Sequence, residues 1–285
     1  MHLEKFLKKT VIICVGLVLV VIVGIYLQHY STIYYKEEKR TVLAMVIVPE
    51  GVEVESLDIL HRESGGDLAF DYLFVKINKA DIPTILKKEE VINVIIPTKI
   101  HASFNIEESN TELLSYISSK PNVTISAVPI HGTLPVSGVF DSEDLLKILD
   151  NVSFISHLYP VSFTPDINKK IEETKKYSHK LDGALAFLYA TFPPEYKVDI
   201  IVELEGIPKY EGLSYEEASK KARNSTVVKK AVSVVESLDG KVIDFWYWYE
   251  SIYVEIETSK LLELAKQSFV RKMSLANIRF KANKP

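Results

Sequence analysis

INKADIPTILKKEEVINVIIP, residues 77–97, has two relatives in the same chain: FDSEDLLKILDNVSFISHLYP at 140–160 and IETSKLLELAKQSFVRKMSLA at 256–276. The three align without a gap over 21 positions. Each leaves a β-branched or aromatic run, turns through polar residues and places apolar residues at helical spacing: Ile82 and Ile85, Leu145 and Ile148, Leu261 and Leu264. Each then enters a second apolar run, beginning at Val91, Phe154 and Val270. A self-similar period of this size marks a chain assembled from small repeated units.

Working outward, residues 41–48 form a β-branched run that reads as a strand, broken at Pro49 and Gly51. A short helix is expected around residues 55–60 and a strand at 68–77. The next unit is more complete, with strands at 100–105, 123–128 and 134–140 and a helix at 107–118. Sixty-three residues separate Ile77 from Phe140, enough for one β-α-β-β-α-β unit. The third copy lies farther on because an insertion opens at Thr164-Pro165, a helix-start signature. Ile167, Ile171, Leu181, Leu185 and Leu188 predict one apolar stripe along it, weakened at Gly183 and ended at Pro193-Pro194.

The last unit begins with alternating Val198, Ile200, Val202 and Leu204. Ser214 and Glu217 make a capping box for a helix running, with a break near Asn224, to about Ser237. Residues 241–249 and 252–256 read as a hairpin. The expected class is α+β: an N-terminal transmembrane helix followed by tandem ferredoxin-like modules with antiparallel sheets. The expected divisions are a stub, span and stalk at 1–40, an abbreviated module at 41–97, a module at 98–163, a linker helix at 164–195, and a module with a tail at 196–285.

Residues 11–27 contain no charged side chain and approach the roughly 30 Å of a bilayer core at about 1.5 Å per residue. Lys5, Lys8 and Lys9 precede the run, and Tyr26, Tyr30, Tyr34 and Tyr35 follow it as an interfacial belt would. A cleaved signal peptide is the competing reading, but no small-residue cleavage site follows. The sole cysteine, Cys14, lies inside this run, so the rest of the chain has no thiol or disulfide chemistry. Sequons at Asn122, Asn151 and Asn224 fit an exterior location with glycosylation. Only Gln28 and Gln267 are glutamines, and with abundant Lys and Glu this suggests a thermophilic archaeal origin. A net charge of −4 argues against a general nucleic-acid binder.

Residues 196–280 resemble the propeptide inhibitor domain of subtilisin-like proteases. The resemblance is carried by VDIIVEL at 198–204, a helix, LDGK at 238–241, IYVEI at 252–256, LLEL at 261–264 and a strand near Val270. Residues 41–97 and 98–163 look like more distant versions. The resemblance implies a ferredoxin-like fold whose sheet packs on a protease and whose tail, here residues 279–285 with Arg279 and Phe280, fills the substrate cleft. No protease domain follows, which leaves a stand-alone inhibitor or a reused scaffold.

FWYWY at 245–249 is the most unusual local sequence. Strand alternation predicts Phe245, Tyr247 and Tyr249 on one side and Trp246 with Trp248 on the other, with Tyr253 on the paired strand. One of these rows must meet solvent, the insertion, another module, a partner protein, or a glycan or other ligand. The seven histidines show no paired metal-ligand spacing and read as surface or turn residues. Neither a phosphate loop, a G-x-S-x-G elbow nor an H-E-x-x-H helix is present. The expectation is a single-pass membrane protein with an exterior C-terminal region. It needs no cofactor, metal or catalytic residue and binds a protein partner, in one reading a subtilisin-like protease.

Overall fold

The structure, a computed structural model, describes residues 40–66 and 70–278. The apolar run at 11–27, the stalk to residue 39 and the tail with Arg279 and Phe280 lie outside the described residues. Among the described residues no helix is long and apolar enough to cross a membrane.

The first unit contains β1 (Thr41–Pro49), β2 (Ile59–Ser64), β3 (Phe70–Asn78), α1 (Ile82–Ile85) and β4 (Asn93–Ile95). The second contains β5 (Lys99–Glu107), α2 (Thr111–Ser118), β6 (Val123–Ile125), β7 (Thr133–Asp141), α3 (Ser142–Leu149) and β8 (Phe154–Ser162). After the insertion, α4 (Pro165–Lys175) and α5 (Gly183–Thr191), come β9 (Lys197–Leu204), α6 (Tyr215–Arg223) and α7 (Thr226–Ser237). The chain continues through β10 (Lys241–Trp246), β11 (Ser251–Glu257), α8 (Leu261–Ala265) and β12 (Val270–Ile278).

The fold is α+β with three four-stranded antiparallel sheets, ordered β2-β3-β1-β4, β6-β7-β5-β8 and β10-β11-β9-β12. Within each unit the order is the same, so the third strand always inserts between the first and second. The repeated stretches explain this recurrence. Ile77, Phe140 and Ile256 end the inner hairpin strands, and Ile85, Ile148 and Leu264, eight positions on, anchor the following helices; all six are buried. Burying each such side chain contributes roughly 1.5–3 kcal/mol. The last strand is less uniform: Val91 and Val270 are buried, whereas Phe154 at the same offset is exposed.

Three expectations about elements are corrected. No helix forms at 55–60: Gly51 and Ser56 take left-handed φ of 73° and 67°, and Lys88 Nζ donates to Glu55 O at 2.8 Å. Val54 and Leu57 pack into the first unit's small core from a loop. The insertion is two helices: α4 stops at Lys175, turns follow, and Lys180 to Asp182 runs along the β12 edge. Leu181 bridges Met273 there, and Met273 N donates to Lys180 O at 2.5 Å. β10 ends at Trp246 rather than Tyr249, since Tyr247–Tyr249 is a 3-10 turn.

The units are joined by packing. β1 is buried on both faces, which its unbroken apolar sequence anticipates. Ala44, Val46 and Val48 face the first unit's own core with Ile85 and Val91. Leu43, Met45 and Ile47 belong to the large core that also holds Phe104, Ile148, Leu185, Ile200 and Val202. Phe70 meets Phe187 and Phe192 of the insertion with ring centroids 6.4 and 5.5 Å apart.

Candidate interaction surface

The third sheet has two unlike faces. Val198, Ile200, Val202 and Leu204 of β9, with Ile252, Val254 and Ile256 of β11, are buried in one core with Ala218, Ala222, Val228, Ala231 and Val235 of α6 and α7. The register sets Asp199, Ile201 and Glu203 on the opposite face, beside Ser251, Tyr253 and Glu255.

The aromatic run divides between these faces in a way that strict alternation does not predict. Phe245 is buried beneath the Arg223 guanidinium, 5.8 Å from its ring centroid, and Tyr247 is buried with its hydroxyl accepting from Tyr210 N at 3.0 Å. Trp246 stacks on Tyr253 at 5.7 Å and 10°, and its indole N–H donates to Asp244 at 3.0 Å. The 3-10 turn then rotates the chain. Trp248 stacks on Tyr215 at 5.7 Å and 17°, and Tyr249 lies edge-on to Trp246 at 6.4 Å. Trp248 and Tyr249 are 73% and 74% exposed, so the single Trp row and the grouping of Tyr249 with Phe245 and Tyr247 are not observed.

Glu250 closes the turn in the left-handed region, φ 47°, which disfavours a non-glycine residue. Three bonds hold it there: Glu250 N donates to Tyr247 O at 3.0 Å, Glu250 O accepts from Leu204 N at 2.7 Å, and its carboxylate accepts from Arg271 Nη1 at 2.9 Å. Arg271 Nε also donates to Glu203 at 3.2 Å, so one guanidinium spans two carboxylates. The hydrogen bond to Glu250 leads the effects that raise the Arg271 pKa. These groups and the rings surround an open depression of about 670 Å³. Below, Tyr253 donates to the buried carboxylate of Asp199 at 2.9 Å, and Ser251 Oγ is buried without a hydrogen-bond partner among the described residues.

Asn122, Asn151 and Asn224 are all exposed. Among the described residues no group of three His, Cys, Asp or Glu side chains is placed to hold a metal. On the second sheet Ser137 Oγ lies 3.5 Å from His101 Nε2 and 2.9 Å from Ser103 Oγ.

Sequence reasoning missed a cluster at the joint between the first two units. Glu63 of β2 is hydrogen-bonded by His61 at 2.9 Å and by the Tyr159 hydroxyl of β8 at 2.9 Å, with His157 at 3.6 Å. The alternation His61-x-Glu63 and His157-x-Tyr159 carried the signal, since residues two apart share a strand face. Burial pushes the Glu63 carboxyl up, but the hydrogen bonds from His61 and Tyr159 and the charges of both histidines outweigh it and hold it below its ordinary value. Comparison with protein-family models, curated proteins and solved structures finds no match for the chain.

Proposed function

We propose a membrane-anchored, extracytoplasmic, non-enzymatic subunit of an envelope complex, in which three tandem ferredoxin-like units present a rigid surface to a protein partner. Residues 11–27 are the anchor in this reading. One observation carries it: Trp248 and Tyr249, about three-quarters exposed, sit beside Arg271 on the third sheet. Trp, Tyr and Arg are the residues that dominate protein-binding hot spots. The surface is already braced by stacking, so a partner need not order it.

A photo-crosslinker at Tyr249 in native membranes should capture one specific partner, and Trp248→Ala should abolish capture. A chain that stays monomeric and partnerless there overturns the reading. Added glycan mass at Asn122, Asn151 or Asn224 tests the exterior placement.

A second reading, a tethered inhibitor or folding assistant of a subtilisin-like protease, is favoured by the third sheet's strand order and its one helix-covered face. Incubation of the chain with such proteases decides it: rapid cleavage without inhibition removes the idea.

A further inference from the structure

We propose that the depression on the outer face of the third sheet binds a neutral pyranose unit of an envelope glycan. The inference goes beyond the partner-binding role above: it assigns a ligand class to the same surface, and either can fail without the other.

The shape of the surface suits a sugar. The outer face of Trp248 is exposed while its inner face lies on Tyr215, and Trp246 is fixed on Tyr253. Each indole is therefore held before a ligand arrives, with little rotamer entropy left to lose. The C–H face of a pyranose is a flat apolar patch that stacks on such a ring, while its hydroxyls point to the rim. A depression of about 670 Å³ falls within the roughly 300–1,000 Å³ of small-molecule sites, and being open it admits one end of a longer chain.

Charge selects among ligand classes. Arg271 already spans Glu203 and Glu250 at 3.2 and 2.9 Å, so an incoming cation must compete with a covalently tethered one. An anion would face both carboxylates. A wholly apolar helix would strip water from all three charged groups without replacing their hydrogen bonds. Hydroxyl groups avoid each penalty, because every one both donates and accepts. The guanidinium has five N–H donors, of which Nε and Nη1 each supply one here, and carboxylates keep spare lone pairs.

The chain has only two tryptophans, and both line the depression, so emission excited at the red edge, where tyrosine does not absorb, reports on this place. The full chain in a detergent without sugar headgroups is titrated with maltotriose, mannotriose, cellotriose and chitotriose. A saturable emission change with at least one of them is expected, weakened about tenfold, a loss near 1.4 kcal/mol, by Trp248→Ala. Arg271→Met should weaken it comparably, and Phe154→Ala on the second unit should not. Circular dichroism confirms that each variant is folded. No saturable change with any trisaccharide, or one indifferent to both Trp248→Ala and Arg271→Met, overturns the proposal. In native membranes the trisaccharide that binds should displace the Tyr249 crosslink. A captured partner that no trisaccharide displaces overturns the glycan inference and leaves the partner role standing, whereas saccharide binding without any captured partner supports the sugar site and removes the protein partner.

Discussion

At the scale of single residues, three positions separate by what surrounds them. Ser251 Oγ is buried with no hydrogen-bond partner among the described residues, and an unmade bond of that kind costs about 1–3 kcal/mol. Ser251→Ala should therefore stabilise the protein by about 1 kcal/mol, read as a higher denaturation midpoint; a destabilised variant would mean the hydroxyl is bonded in solution. Gly138, in the middle of β7, has the opposite character. A Cβ there would lie 2.7 Å from Asn122 O and 2.8 Å from Val123 Cα, backbone atoms that cannot step aside. Gly138→Ala should cost about 1–3 kcal/mol, while Gly183→Ala, at a helix start with nothing within 4 Å, should be neutral or stabilising. Paired urea denaturations of the two glycine variants check the contrast, and equal losses would refute it.

At the scale of elements, Asp182 shows how a connection is fixed. One carboxylate oxygen accepts from Leu185 N at 2.8 Å and caps α5, while the other accepts from Leu275 N at 3.2 Å on the edge of β12. Asp182→Ala should cost about 1–2 kcal/mol and Asp182→Asn less, since the amide keeps one acceptor. Equal losses in equilibrium unfolding would show that only the charge matters. This double use also explains what the sequence could not disclose. Alternating strands such as β9 and the capping box at Ser214 and Glu217 were legible because their causes are local. The single linker helix was not observed: the first helix stops at Lys175, and Leu181, before the second, pairs with Met273 on a strand about ninety residues away. Likewise the aromatic run has strong strand propensity, yet it turns after Trp246 because Leu204 N and Arg271 hold Glu250 in a left-handed conformation. The rings of the 245–249 run could be read from the sequence. Arg271, Glu203 and Tyr215 could not, because they reach it from other elements.

At the scale of the whole molecule, the first two units meet through side chains whose charges depend on pH. Glu63 accepts from Tyr159 across the joint, and Lys76 of β3 bonds Asp150 beyond α3 at 2.7 Å. Arg40 pairs with Glu143 along the same boundary. The Glu63 pKa lies below its ordinary 4.5 in the folded protein, so the folded state favours the carboxylate. Its contribution is therefore fully present above the unfolded value and is lost as pH falls through the lower, folded one. Protonation there removes the carboxylate charge that His61, His157 and Tyr159 surround. Wild type should exceed Glu63→Gln in stability by on the order of 1 kcal/mol near neutral pH, solvent screening included, and the difference should shrink as the pH falls through the lowered Glu63 value. Thermal unfolding of both proteins across that range measures it. Hydrogen exchange should place the acid-induced loosening at β2 and β8 before the third sheet, which holds none of these groups. A gap between the two proteins that stays constant with pH would show that Glu63 acts by packing rather than by charge.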